Sequence, residues 1–420
     1  MRSLLYQLYD VFFQKKLSKK LHAEMNNYFF YGKEYFDKRQ QVMDYAKKKC
    51  SFYNNYDSNF EKVKTISKND LKNSISSFIS TDYKIDELYK GRTSGSTASP
   101  MVFFLSKRKK ALRVSELSFF NEWAGYKIGM RHALNSIGAS KSKLKLWIQN
   151  EVLLDPSKIN NNKLDVFLDT ITKKRIEFYI GYPSVLNQLA MYAKFKQLKI
   201  SFKGIISTGE PLTEHFRQTI SSQFDCDVLS RYSSLELGVI AHECEYHTLH
   251  VNGANLFVEV LGIDSDEPIK NGEIGRIIVT DYNNYAMPLI RYDTGDLGSI
   301  EQSSCKCGRK GNVIRKLQGR KVDFIIDADG NKFSFAFLNT LIWPYHDKIS
   351  HYQFLQNEAH IIKLFLQLSS SDATFTENLK FDIISNLSQN TIFDVETVEE
   401  IPPMASGKKP FVINNYLKSL

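Results

Sequence analysis

A run of small hydroxyl residues around one glycine is the sharpest local feature of the chain. In YKGRTSGSTASPMVF (89–103), Thr93, Ser94, Ser96 and Thr97 crowd around Gly95. Such a loop exposes backbone N–H groups and hydroxyls without bulky side chains, and those groups can wrap a polyphosphate and its metal. It lacks the Gly-Lys-Ser/Thr ending of a Walker A loop. Taken alone, it reads first as a flexible surface turn.

A second constellation suits a soft metal. The cysteines are Cys50, Cys226, Cys244, Cys305 and Cys307. An odd count with one tight pair does not make a disulfide framework and fits a reducing compartment. Cys305-Lys306-Cys307 precedes Gly308-Arg309, and HECEYHTLH upstream holds Cys244 and His250. Three sulfurs and one imidazole are enough for a closed tetrahedral Zn²⁺ site of the structural kind. His242 and His247 are rival nitrogen ligands. The competing reading is idle thiols beside surface histidines.

The glycine loop gains weight from a series of segments further along the chain. In order come STGEPLT (207–213), SRYSSLELG (230–238), RYDTGDLG (291–298), LQGRKVDFI (317–325) and IPPMASGKKP (401–410). This ordered series resembles the adenylate-forming superfamily. Within it the chain is similar to the phenylacetate–coenzyme A ligase branch, which includes the CapK-type proteins of capsular polysaccharide clusters. The resemblance runs from about Lys90 to Lys408.

The resemblance implies a role for each motif. Thr93, Ser94, Gly95, Ser96 and Thr97 would hold the β- and γ-phosphates of ATP. Ser207, Gly209, Glu210 and Pro211 would line the adenine pocket. Tyr232, flanked by Arg231, Ser233 and Ser234, would stack on the base, a contact worth roughly 1–3 kcal/mol. Glu236 would coordinate Mg²⁺, which prefers oxygen ligands from one or two carboxylates plus phosphates. Asp296 would accept hydrogen bonds from both ribose hydroxyls, since an ionised carboxylate offers two acceptor oxygens. Arg320 would touch ribose or phosphate, and Asp323 would sit where the small domain rotates. Lys408 would meet the substrate carboxylate and the α-phosphate during adenylation, with Lys409 as its immediate rival. The implied chemistry activates a small carboxylic acid as an acyl-adenylate and passes it to coenzyme A. The alternative passes it to an amine acceptor, giving an amide in surface polysaccharide synthesis.

The chain also departs from the family pattern. Ala98 stands where many relatives have a second glycine, Met101 where much of the superfamily has a lysine, and Ser233-Ser234 in place of a glycine-containing pair. The tail is short for a small domain of the superfamily. The acid is expected between the phosphate loop and the aromatic segment Phe119, Phe120, Trp123 and Tyr126, beside the GYPS turn (181–184). A core helix explains those aromatics equally well.

These motifs need a frame. At 420 residues, two domains is the expectation. Hydrophobic residues make up 42% and charged residues 24%, which excludes wholesale disorder. Short apolar runs at 202–208, 224–234, 256–262 and 275–281 alternate with helical patterns, so the fold class is α/β: a large multi-layer domain (1–319) and a small mobile α+β lid (320–420). Gly272 and Gly275 punctuate a hairpin between the last two runs. Residues 1–85 read as helical, polar and lysine-rich with short apolar stripes, and in the first twenty the aromatic and leucine positions recur at helical spacing, expected to pack on the core rather than to lie on a membrane surface. No stretch of eighteen apolar residues exists, so no transmembrane segment is expected, and no secretory cleavage pattern follows the start. The chain is expected to be cytoplasmic. Its charge of +10 comes from 56 basic and 46 acidic residues and suits anionic partners such as nucleotides or coenzyme A. No helix-turn-helix, zinc-knuckle or ribonucleoprotein signature supports a nucleic-acid partner.

Overall fold

A hairpin frames the glycine loop. Strands Tyr89–Arg92 (β1) and Val102–Leu105 (β2) pair antiparallel. Beyond them Thr93 N–H donates to the Met101 carbonyl (2.8 Å), and Met101 N–H donates to Thr93 Oγ1 (3.0 Å). In the computed structural model the described residues are 15–33, 35–93, 101–135, 141–156, 159–320, 324–369, 374–404 and 407–416. Ser94, Gly95, Ser96, Thr97, Ala98 and Asp323 lie outside them.

Eleven strands build the main sheet: His132–Asn135 (β3), Glu151–Leu154 (β4), Phe178–Gly181 (β5), Gly204–Thr208 (β6), Val228–Ser234 (β7), Gly238–Glu243 (β8), Leu249–Val251 (β9), Leu256–Leu261 (β10), Gly275–Asp281 (β11), Tyr292–Gln302 (β12) and Asn312–Arg320 (β13). Their order is β10-β11-β12-β13-β9-β8-β7-β6-β5-β3-β4. From β4 to β7 every pairing is parallel, and from β7 to β10 every pairing is antiparallel. Of the four apolar runs, 202–208 and 224–234 hold β6 and β7 of the parallel half, and 256–262 and 275–281 hold β10 and β11 of the antiparallel half. Strands β5 and β6 are buried almost throughout, with Tyr179 and Ile205 in the cluster that holds the covering helices and Phe178, Ile180 and Ile206 packed against Ala124, Tyr126 and Leu134. In β10 burial alternates more, as expected of a strand with one wetter face.

The covering helices begin where the sequence supplies caps. Asn160 Oδ1 caps helix Asn161–Lys174 through the Lys163 N–H (3.0 Å), and Thr213 Oγ1 caps Glu214–Phe224 through the Phe216 N–H (3.2 Å). Helix Pro183–Phe195 starts with proline at its first turn, where the missing N–H costs nothing.

The chain after β13 forms a separate set of sheets. Phe324–Ile326 (β14) and Lys332–Ser334 (β15) make a hairpin. Ile349–Glu358 (β16), Ile361–Leu368 (β17), Ile392–Val398 (β18) and Val412–Asn414 (β19) form a sheet in the order β18-β17-β16-β19. A single apolar cluster joins this tail to the parallel half: Phe354, Leu364 and Phe411 share it with Leu186, Ile205 and Phe216. A second cluster packs the segment 43–78 on β11 and β12, with Tyr53 and Phe78 against Val279 and Tyr292. The helix Lys15–Tyr31 buries Leu21, Met25, Tyr28 and Phe29 on Phe119 and Phe120; the apolar stripe expected in the first twenty residues falls almost wholly outside the described residues. Among the described residues no helix is long and apolar enough to cross a membrane.

Candidate active site

The parallel strands β6 and β7 deliver their carboxyl ends to one place, where open α/β sheets generally bind ligands. There a cavity of about 500 Å³ opens between the sheet and the tail, within the range of about 300–1,000 Å³ usual for ligand pockets. From β6 come Gly209, Glu210 and Pro211, and from β7 come Arg231, Tyr232 and Ser233. Asp296 enters from β12, Gly319 from β13 and Lys408 from the tail. Apolar side chains (Leu212, Leu249, Ile314, Leu317, Met404 and Phe411) share the wall with Glu243, His247, Thr248, Arg315 and Asn414.

Tyr232 and Asp296 are coupled. The tyrosine O–H donates to Asp296 Oδ2 (2.5 Å) and lies 3.4 Å from Thr294 Oγ1. Burial, then the Asp296 charge, pushes the Tyr232 phenol well above its ordinary range, so it stays a donor at neutral pH. The Asp296 main chain is fixed in turn, because its N–H donates to Thr294 Oγ1 (3.1 Å). In the ladder Asp296 stands opposite Arg320, so the two motif residues meet across adjacent strands.

Gly209 is the position where glycine is required. Its φ is +86°, and an added Cβ would stand 2.9 Å from Tyr182 Cε1 and 3.4 Å from Lys408 Cε. Replacing it with alanine therefore combines left-handed strain with a clash, a loss of about 1–2 kcal/mol or more. Urea unfolding of Gly209→Ala checks this as a lower midpoint with unchanged slope.

Lys408 and Lys409 separate cleanly. Lys408 lines the cavity. Lys409 is buried, its Nζ lies 3.4 Å from Glu400 Oε1, and burial lowers its pKa.

Other expected residues stand back from the cavity. Ser207 is fully buried with its hydroxyl unpartnered, and Ser234 Oγ accepts the Leu237 N–H (3.2 Å). Glu236 is buried and accepts the Tyr292 O–H on Oε1 (2.9 Å), and it is absent from the cavity wall. The Arg231 side chain is buried against Asn121, and desolvation pulls its pKa down to about 10. It meets the cavity edge but is held from behind.

Known proteins share this chain's sequence pattern and fold. Residues 325–415 match the CapK C-terminal domain family. Protein CapK of Staphylococcus aureus is 27% identical over 404 residues, covering 90% of this chain and 87% of that protein. Over most of its length the chain is similar to CapK. A phenylacetate–coenzyme A ligase of Thermus thermophilus is 26% identical over 184 residues, 43% of this chain and 41% of that enzyme. The fold is that of a crystallised 2-hydroxyisobutyryl-CoA ligase in its postadenylation state, with a TM-score of 0.75 at 15% identity over 90% of this chain and 88% of that one.

The fold also brings the candidate sulfur ligands together. One donor atom each from Cys244, His250, Cys305 and Cys307 lies within 4.8 Å of all the others. Cys244 Sγ is 3.6 Å from Cys305 Sγ, and Cys307 Sγ is 3.2 Å from His250 Nε2. Zn–S bonds of about 2.3 Å in a tetrahedron place sulfurs about 3.8 Å apart, so this donor set fits the ion. The rival histidines fall away. His242 is buried against Phe120 and Trp123, and His247 pairs with Arg217, Glu243 and Asp227.

The aromatic segment expected at the acid pocket belongs to the core instead. Phe119 and Phe120 are buried with Phe29, Trp123 packs on the same cluster, and Tyr126 rests edge-on against Phe178. None of the four lines the cavity. The N-terminal helix is the partner they were chosen for. Sequence reasoning missed Met404, Phe411, Leu249 and Leu317. Their only signal was position beside a recognised motif, as Phe411 follows the lysine pair.

Proposed function

We propose that the chain activates a carboxylic acid with ATP as an acyl-adenylate and transfers the acyl group to coenzyme A. In the first step a carboxylate oxygen attacks the α-phosphorus, the α–β anhydride bond breaks and pyrophosphate leaves. In the second, the thiol sulfur attacks the acyl carbon, AMP leaves and the thiol proton passes to solvent. The observation that carries the reading is the convergence of Gly209, Tyr232, Asp296 and Lys408 on one cavity. In this reading Tyr232 covers the base and Asp296 binds the ribose. Lys408 stabilises charge gathering on the α-phosphate.

The remaining roles follow from the same reading. Thr93 to Thr97 hold the β- and γ-phosphates. Glu236 ligates Mg²⁺, with the Tyr292 O–H held on its Oε1. The cysteine–histidine cluster holds a structural Zn²⁺. The lid begins at residue 320, directly after Gly319, and carries Lys408 in and out. The enzyme works in the cytoplasm.

The likeness to CapK favours a second reading, in which an amine rather than coenzyme A takes the acyl group. Pyrophosphate release against a panel of acids, with coenzyme A or amines supplied as acceptor, separates the two. Thioester product supports the first reading and amide product the second. No pyrophosphate with any acid, together with undetectable ATP binding, removes both.

A further inference from the structure

Glu210 does more than line the cavity, because its carboxylate ties three separate segments together. Oε2 accepts the Ser184 N–H (3.1 Å), and Oε1 accepts the Lys409 N–H (2.7 Å). Ser184 lies in the first turn of helix Pro183–Phe195. Pro183 has no N–H, so Ser184 offers the first free donor of that turn, and the positive end of the helix dipole favours a carboxylate there. The other donor is on the tail. It belongs to the peptide unit that joins Lys408 to Lys409, and because that unit is planar, anchoring its N–H also anchors the Lys408 Cα that lies in the same plane. The lysine stem then passes Gly209, where an added Cβ would stand 3.4 Å from Lys408 Cε.

Chemistry and anchoring both favour this arrangement. Two N–H donors are met by an ionised carboxylate, which only accepts, whereas an amide in its place turns a donor toward one of them. Burial raises the Glu210 pKa, and the Lys409 and Ser184 hydrogen bonds and the Lys408 charge oppose that shift by favouring the ionised form. The Lys409 side chain is buried and directed at Glu400 of its own tail, so the tail arrives as a preformed turn. Met404 and Lys408 close that turn, with the Met404 N–H donating to the Lys408 carbonyl (2.9 Å).

We propose that Glu210 is a positioning residue, a latch whose carboxylate joins the Ser184 and Lys409 amides and so holds Lys408 at the cavity. Withdrawal of the tail breaks the Lys409 bond and leaves the Ser184 bond, so the carboxylate stays on the helix, ready to receive the tail again. The kinetic consequence rests on the adenylation reading, and the structural one does not.

The test uses the full chain with Glu210→Ala and Glu210→Gln. Hydrogen exchange at the Lys409 amide is expected to quicken about tenfold or more in Glu210→Ala, the loss of one charge-assisted bond. In Glu210→Gln the increase is smaller, since one carbonyl oxygen still accepts. Kinetically, acid-dependent pyrophosphate release falls about tenfold in kcat for Glu210→Ala, with KM for ATP within about threefold of the parent. Conversion of a supplied acyl-adenylate keeps its rate. Should the alanine variant fold poorly, the glutamine variant carries both measurements. Unchanged exchange at Lys409 overturns the latch whatever the kinetics show. Equal slowing of both half-reactions overturns the positioning role. If the parent protein releases no pyrophosphate with any acid, the adenylation reading fails while the exchange measurement still decides the latch.

Discussion

Replacing Lys408 with alanine slows acyl-adenylate formation by roughly 10²–10³, while thioester formation from a supplied acyl-adenylate keeps most of its rate. The expectation follows from where charge develops. When a carboxylate oxygen attacks the α-phosphorus, negative charge accumulates on the phosphate and the bridging oxygen. An ammonium already held at the cavity wall meets that charge without reorganising, in a site partly walled by Leu212, Ile314, Met404 and Phe411. A low-dielectric wall strengthens the interaction. The second half-reaction forms no such charge on the α-phosphate until AMP departs, and a thiol needs the tail out of its path. Lids that complete a site for one step only are common in enzymes. The measurement is a pair of rates, pyrophosphate release and product formation from preformed adenylate, for the parent and Lys408→Ala. Lys409→Ala is the comparison. Lys409 is buried and directed at Glu400, so its loss lowers stability first. Equal slowing of both half-reactions in Lys408→Ala contradicts a lysine delivered for one step.

The two lysines show what a sequence can and cannot carry. GKKP marks the place, but only the fold turns one lysine to the cavity and the other into the tail. The frame was legible because both-face burial leaves unbroken apolar runs, as in β5, β6 and β11, whose residues are almost all buried. The hairpin at Gly272 was legible from its punctuation, and Gly272 has φ +87°. The aromatic segment at Phe119 was not, since bulky rings look the same whether they face a pocket or another helix. Its partner, the helix Lys15–Tyr31, lies some ninety residues away in sequence, where His22 Nε2 meets the Ser115 carbonyl. The role of Glu210 was hidden for the same reason. It sits within a recognised motif, yet its bond reaches a residue 199 positions on. Motifs report composition at a site, whereas long-range hydrogen bonds appear only once the chain has closed.

Removing the metal from the cysteine–histidine cluster is expected to produce the largest loss of stability. The four donors lie on three segments: the end of β8 (Cys244), β9 (His250) and the loop between β12 and β13 (Cys305 and Cys307). A bound Zn²⁺ therefore closes the β12–β13 loop onto the centre of the antiparallel half. Those same two strands carry Asp296 and Arg320. Without an ion the site holds unfavourable chemistry. Burial pushes the Cys244 thiol up to about 12, and burial together with the Arg309 charge draws His250 down to about 4. Both shifts describe groups held away from water as neutral species, and a neutral imidazole is the form that ligates. A divalent cation reverses the preference of the thiols, because coordination deprotonates them outright. Protein purified without chelator is expected to contain one zinc per chain by native mass spectrometry. Stripping it, or replacing Cys305 with serine, is expected to lower the thermal midpoint by roughly 3–5 °C, from about 1.5 °C per kcal/mol for a domain of about 319 residues and ~2–3 kcal/mol for a lost structural ion. Re-addition of Zn²⁺ restores the midpoint of the stripped protein and not that of Cys305→Ser. The affinity for ATP falls in both as the Asp296 strand loosens. A mass spectrum without metal, joined to a midpoint that chelation does not move, leaves the four residues as a packed cluster of thiols and imidazole.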